Sequence, residues 1–212
     1  EKKDHHLVAV VKETGTIGSN KAADVDRDLV FEPLTEKDKR SIEIGLKNGV
    51  NHYAMSFANK PEDVDVIRGL CGSKANIICK IESPSGVKNL EGIIRKTDSI
   101  LIDRGDLSRR IPISIIPFLQ RKIISTAVYM KSPVFVATNL LESMINTSSP
   151  TRAEVNDVVS TLEMGANGLV LAAETAIGQH PLKSVEMVRN LIEEFERYTP
   201  NTSISDLIKM IK

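Results

Sequence analysis

Five short apolar runs, each followed by a stretch of helical pattern, constrain this chain more than anything else in it. They are His52–Phe57, Asn76–Glu82, Ser99–Asp103, Pro133–Thr138 and Gly168–Ala172. They recur at intervals of roughly 22 to 35 residues. A short continuous apolar run bounded by loops is the pattern of a strand buried on both faces, and such strands belong to parallel sheets. Strand and helix alternate with short connections, which makes the sheet parallel and the fold class α/β. In open α/β sheets and in (β/α) barrels, chemistry collects at the C-terminal edge of the strands.

The ends of these runs carry groups that a buried strand does not need. The Ser99 run leads into Arg104-Gly105-Asp106-Leu107. Gly105 permits close backbone approach to a ligand, and Asp106 offers a hard oxygen. Lys80 and Glu82 sit two apart at the end of the Asn76 run, so they share one face of the strand. The Pro133 run delivers the hydroxyl of Thr138 at the matching place. Glu82 and Asp106 are thus two carboxylates from neighbouring strands that converge on one rim. Magnesium is commonly held by one or two carboxylates with substrate oxygens and water, and manganese accepts the same donors. On the residues alone, a buried ion network of Glu82 with Lys80 or Arg104 is an equal reading.

Composition narrows the function classes. The 212 residues suffice for one large domain or two small ones, and 41% are hydrophobic. Lys+Arg and Asp+Glu both number 28, Trp is absent, and no basic stretch interleaves with aromatics. Nucleic acid and membrane surfaces are therefore not expected partners. No apolar run approaches the roughly 18 residues of a membrane span, and no stretch reads as a secretory signal. The two cysteines, Cys71 and Cys79, lack metal-ligand spacing and read as free thiols of a cytoplasmic protein. The chain opens on Glu1 rather than Met, as an excised piece would.

In order along the chain, Glu1–His6 is charged and expected to be loose, with His5 and His6 solvated rather than ligating. Leu7–Val11 reads as a short strand, and Thr14–Lys21 as a turn. Thr35 can cap a helix with acidic residues in its first turn. Helices are expected over Pro61–Leu70, Gly86–Lys96, within Ile113–Lys131, from Thr151 with Glu154 completing a capping box, and over Pro181–Tyr198. Ser203–Lys212 is compatible with one more.

Read in series, KIE (Lys80–Glu82), RGDL (Arg104–Leu107), VATNLLESM (Val136–Met144), SPTRAEVNDV (Ser149–Val158) and LAAETAIGQHPL (Leu171–Leu182) resemble pyruvate kinase in order and spacing. SFANK (Ser56–Lys60) is similar to the family's S-F-I-R-K, and Gly15–Lys21 to the stretch closing its small lid domain. The resemblance implies a partial (β/α) TIM barrel of the phosphoenolpyruvate/pyruvate class, corresponding to strands four to eight of eight. It divides the chain into a lid remnant (1–21), the partial barrel (22–200) and a C-terminal helix or tail (201–212). Five barrel strands leave two open edges, to be closed by the Leu7 strand, a partner subunit in a homo-oligomer, or a missing segment of the same protein.

The resemblance also assigns roles. It implies phosphoryl transfer from phosphoenolpyruvate to ADP, giving pyruvate and ATP. Glu82 and Asp106 would hold Mg or Mn, and Lys80 would stabilise the enolate. Backbone N–H groups of Gly105 and Asp106, with Thr138, would bind the substrate carboxylate. Thr138 would also lie near the carbon that receives a proton. Arg104 either faces substrate or holds the rim together. The family's potassium site falls on strands that this sequence does not contain. Two alternatives remain: a metal-dependent aldolase or lyase acting through a pyruvate enolate, and a non-catalytic domain of the same kind. Departures cluster at the rim. Asp103 stands where the family has a small Ala, with Ser108 for Gly, Asn139 for Gln, Ala172-Ala173 for Ser-Gly and Ile177 for Lys.

Overall fold

The computed structural model of the chain describes residues 2–3, 6–16, 18, 25, 31–199 and 201–209. Two compact units are present, residues 1–30 and 31–212. In the first, β1 (Lys2–Lys3) and β2 (His6–Leu7) pair antiparallel. The strand expected over Leu7–Val11 is therefore earlier and shorter. The charged segment expected to be loose supplies its ladder partner, while residues 8–11 form no strand and leave Val10 and Val11 exposed. An apolar run becomes a strand only where another backbone satisfies its N–H and C=O groups. β1 and β2 form a two-stranded sheet of their own. The reading of His5, and the turn residues Ile17 and Ser19–Lys21, lie outside the described residues.

The second unit alternates as the pattern requires. Helix α1 (Glu36–Lys47) is capped by Thr35, whose hydroxyl accepts from the Asp38 amide while the Asp38 carboxylate accepts from the Thr35 amide. Then come β3 (His52–Met55), α2 (Pro61–Cys71) with Pro in its first turn, and β4 (Asn76–Ile81). The single helix expected over Gly86–Lys96 is two, α3 (Pro84–Lys88) and α4 (Leu90–Ile94). The break falls at Asn89, whose backbone leaves helical geometry and whose side chain donates to the Asn59 carbonyl at 2.7 Å. Next are β5 (Ser99–Asp103), α5 (Arg104–Leu107), α6 (Ile116–Tyr129) and β6 (Val134–Ala137). A 3-10 turn (Glu142–Ile145) precedes α7 (Arg152–Glu163), β7 (Gly168–Val170), α8 (Ala173–Ala176), α9 (Pro181–Arg197) and α10 (Ile204–Lys209).

The sheet order is β3-β4-β5-β6-β7, parallel throughout, as expected for consecutive strands of a partial TIM barrel. Its two faces differ. Ile77, Cys79 and Ile81 of β4, Ile100 and Ile102 of β5, and Val134 and Val136 of β6 are almost wholly buried. They pack in one core with α2, α4 and α6 residues such as Ile67, Ile93 and Ile123. Each such side chain contributes roughly 1.5–3 kcal/mol by leaving water. The register aligns Lys80 with Leu101, Leu101 with Phe135, and Asp103 with Ala137 on the opposite face. That face is only partly covered, and it runs up to the polar residues at the strand ends. Strands β3 and β7 each pair on one side only, so among the described residues both edges are open.

A second apolar cluster, with Leu140, Leu141, Met144, Val158, Leu162 and Val188, seats α7 and α9 beside the loop that follows β6. Glu154 fastens that loop. Its carboxylate accepts from the Ser143 amide and hydroxyl, both at 2.6 Å, and from the Thr151 amide at 2.7 Å. Burial alone would push its pKa up, but the bonds from Ser143 and Thr151 outweigh that and hold it below the ordinary value. A carboxylate depressed in the fold stabilises it above the unfolded pKa, and that contribution is lost as pH falls through the folded value. Glu154→Ala is expected to cost about 2 kcal/mol at pH 7. In urea denaturation, the gap between native and variant should close in strong acid. A gap that stays constant with pH would assign the loss to packing instead.

Candidate active site

Three strand ends meet at one rim. Lys80 is the penultimate residue of β4, Glu82 follows that strand, Asp103 closes β5, and Thr138 follows β6. Lys80 and Glu82 share a face as their spacing predicts, and the Lys80 Nζ lies 2.5 Å from Glu82 Oε1. The same ammonium lies 3.2 Å from Asp103 Oδ2. Glu82 is 2% exposed. Its Oε2 accepts from the Phe57 amide at 2.6 Å. Its Oε1 faces the Lys80 ammonium and accepts from no other group.

The charges perturb one another. Burial acts to lower the Lys80 pKa, but the hydrogen bond and charge of Glu82, then of Asp103, outweigh it. The ammonium is held above the usual lysine value and stays cationic at neutral pH. Burial pushes the Glu82 carboxyl up, and the Lys80 and Phe57 contacts only partly offset it. A simple ion pair would move the two groups in opposite directions. Here desolvation dominates at the more buried partner.

Glu82, Asp103 and Asp106 each offer a carboxylate oxygen, all within 4.8 Å of one another. Among the described residues, the ion pairs to these three anions come from Lys80 and from Arg109, whose Nε lies 3.2 Å from Asp106 Oδ1. The surplus of negative charge, and a buried Glu82 carboxylate whose Oε1 has Lys80 as its one partner, suit a divalent cation with oxygen donors. The expected carboxylates Glu82 and Asp106 do converge. Of the two ion-network partners considered for Glu82, Lys80 is the one the structure brings to it.

Thr138 sits with φ 69°, and Asn139 with φ 54°. A β-branched residue in this left-handed region is strained by about 1–3 kcal/mol, and such strain concentrates at functional sites. The conformation brings the Thr138 hydroxyl to the Gly105 amide, which donates to it at 2.8 Å. Oγ1 is also 2.6 Å from the Ala137 carbonyl and 3.2 Å from Asp103 Oδ1. The Asp106 amide points to Asp103 Oδ1 at 3.4 Å. The expectation of free N–H groups at Gly105 and Asp106 therefore needs correcting. Both already face an oxygen of the protein, because Asp103 caps the short helix α5 and Thr138 folds back over it.

Arg104 is 9% exposed. Its Nε and Nη2 donate to the Thr138 carbonyl at 3.1 and 2.6 Å, and Nη1 meets Asp157 at 2.6 Å and Gln120 at 3.4 Å. Of its two readings, these contacts are those of a residue that holds the rim together. Glu174, 1% exposed, performs a similar task by accepting from the Leu141 and Ala172 amides at 3.1 and 2.8 Å.

Sequence reasoning missed three of these parts. Asp103 was visible only as an acid in place of a small residue. Yet its position two beyond Leu101, at the end of β5, put it on the face of Lys80. The Phe57 amide and the Asp157 brace carry no local signal, since each is 25 or more residues from its partner. Both cysteines are buried, and burial pushes the Cys79 thiol up to about 11, which leaves it unreactive.

Known proteins match most of the chain. The family model described as "Pyruvate kinase, barrel domain" matches residues 1–185. A pyruvate kinase of Thermotoga maritima is 40% identical over 202 residues, covering 93% of this chain and 43% of its own. One from Agrobacterium vitis is 38% identical over 196 residues, covering 92% and 41%. "Pyruvate kinase 2" of Synechocystis is 37% identical over 205 residues, covering 95% and 34%. The chain thus spans about two fifths of the length of the curated relatives it matches.

Proposed function

Because this chain belongs to the pyruvate kinase family, we propose that its rim carries the enolate side of phosphoryl transfer from phosphoenolpyruvate to ADP, giving pyruvate and ATP. The observation that carries the proposal is the charged Lys80 ammonium set between Glu82 and Asp103, beside Thr138 and Asp106. When the phosphoryl group leaves, the bond between it and the enol oxygen breaks, and that oxygen takes up negative charge. Lys80 is the fixed cation positioned to stabilise it. Such a charge in a partly desolvated site is worth more than in water.

Glu82 and Asp106 would hold a magnesium or manganese ion. When bound, it supplies positive charge for the phosphoryl and enolate oxygens. Thr138, fixed by its strained backbone, hydrogen-bonds the carboxylate of the bound 2-oxo acid and stands beside the carbon that takes up a proton through water. Gly105, without a side chain, lets Thr138 close over its amide. Arg104 acts as a brace, keeping Thr138 and α5 in register. The partners implied are phosphoenolpyruvate, pyruvate, ADP and ATP, in a cytoplasmic setting. No helix among the described residues is long and apolar enough to cross a membrane.

Calorimetry tests the site without requiring turnover. Manganese titrated in the presence of oxalate, a dianion resembling enolpyruvate, is expected to bind the native chain. The double variant Glu82→Gln/Asp106→Asn should weaken it at least about tenfold, since the ion loses both charged ligands. Equal binding by the two proteins would place the metal elsewhere and remove the basis of the proposal.

A further inference from the structure

The donors at the rim are already in use. Lys80 Nζ is 3.2 Å from Asp103 Oδ2, Thr138 Oγ1 is 3.2 Å from Asp103 Oδ1, and the Asp106 amide is 3.4 Å from the same Oδ1. An ammonium, a hydroxyl and a backbone N–H are what a small carboxylate ligand would seek. Here one side chain of the protein faces all three, sharing the hydroxyl with the Ala137 carbonyl at 2.6 Å. Asp103 is 7% exposed and stands at the last position of β5, so its carboxylate cannot swing far from them.

We propose that Asp103 is an affinity-determining residue, a tethered carboxylate that competes with anionic ligands for Lys80 and Thr138. The inference rests on the reading of this rim as a 2-oxo acid site. Tethering gives the side chain an effective concentration in the millimolar range or above, so a free ligand must out-compete a group already in place. Displacement alone does not remove the obstacle. The carboxylate then stands unpaired beside a second anion, in a setting where like charges repel more strongly than in water. The rim without a ligand is therefore self-paired, and it discriminates against weak monoanions. A ligand that brings its own cation, as a chelated dianion does, supplies charge to both carboxylates and is accepted more readily.

The test is oxalate binding at saturating magnesium, by calorimetry, to the native chain and to Asp103→Ala, Asp103→Asn and Lys80→Ala/Asp103→Ala. Asp103→Ala is expected to bind oxalate about tenfold or more tightly than the native chain. Asp103→Asn keeps the side chain's size and its acceptor for the Asp106 amide, so it guards against a simple loss of the α5 cap, and it should also gain affinity. The gain should vanish in the double variant, because Lys80 is the group released. Equal oxalate affinity in native and Asp103→Ala overturns the inference while leaving the 2-oxo acid reading intact. Weaker binding in Asp103→Ala overturns it too, since Asp103 would then serve the metal. A gain that survives loss of Lys80 refutes competition at that ammonium. Absence of oxalate binding in every protein overturns both the inference and the reading beneath it.

Discussion

Lys80→Ala is expected to slow the magnesium-dependent exchange of pyruvate methyl protons with deuterated water by about a hundredfold or more. Exchange requires the enolate of pyruvate but neither ADP nor phosphoryl transfer, so it isolates the chemistry assigned to this rim. The ammonium lies 2.5 and 3.2 Å from two carboxylates and remains cationic, which suits it to stabilise an oxyanion and not to act as a base. Loss of one positioned stabiliser of this kind typically costs a factor of about 10² to 10³. The variant also leaves Glu82 buried without its partner, so circular dichroism and Lys80→Gln should accompany it. Exchange at the buffer rate in the native chain would remove the enolate reading. Persistence of exchange in a folded Lys80→Ala would show that another group carries the charge.

Arg104→Ala is expected to be among the most destabilising single changes in this chain, by about 3 kcal/mol. The substitution removes two charge-assisted bonds to the Thr138 carbonyl, leaves Asp157 and Gln120 without their partner on α5, and opens a cavity in a nearly closed site. For a chain of this size the midpoint of thermal unfolding should fall by roughly 6–12 °C. Because Thr138 is strained, relaxation of its backbone should accompany the loss, and oxalate affinity should drop even when the variant is folded. A variant with unchanged stability but abolished oxalate binding would instead make Arg104 a residue that faces the ligand.

The strands of the parallel sheet and the placement of Lys80, Glu82, Asp106 and Thr138 at one edge were legible in the sequence. They follow from local rules: a continuous apolar run marks a strand buried on both faces, and side chains two apart share a face. The cap of Thr35 on Asp38 and that of Thr151 on Glu154 were legible for the same reason, since each closes within one helical turn. Local rules also misled. Val8, Val10 and Val11 have the composition of a strand, but strand formation needs a neighbour, and His6–Leu7 found one in Lys2–Lys3.

Only the tertiary structure decided how the rim is wired. A side chain's partner depends on which strands lie side by side and in what register, and those pairings join residues 20 to 50 positions apart. From the sequence, Arg104 had two equal readings. The fold settles its contacts by placing the Thr138 carbonyl and Asp157 within reach of one guanidinium. Asp103 reads along the chain as a lone acid in an apolar context. Set against β4 and β6 it meets Lys80 and Thr138 at once: register brings Lys80 and Asp103 to one face, and the left-handed backbone of Thr138 turns its hydroxyl toward them.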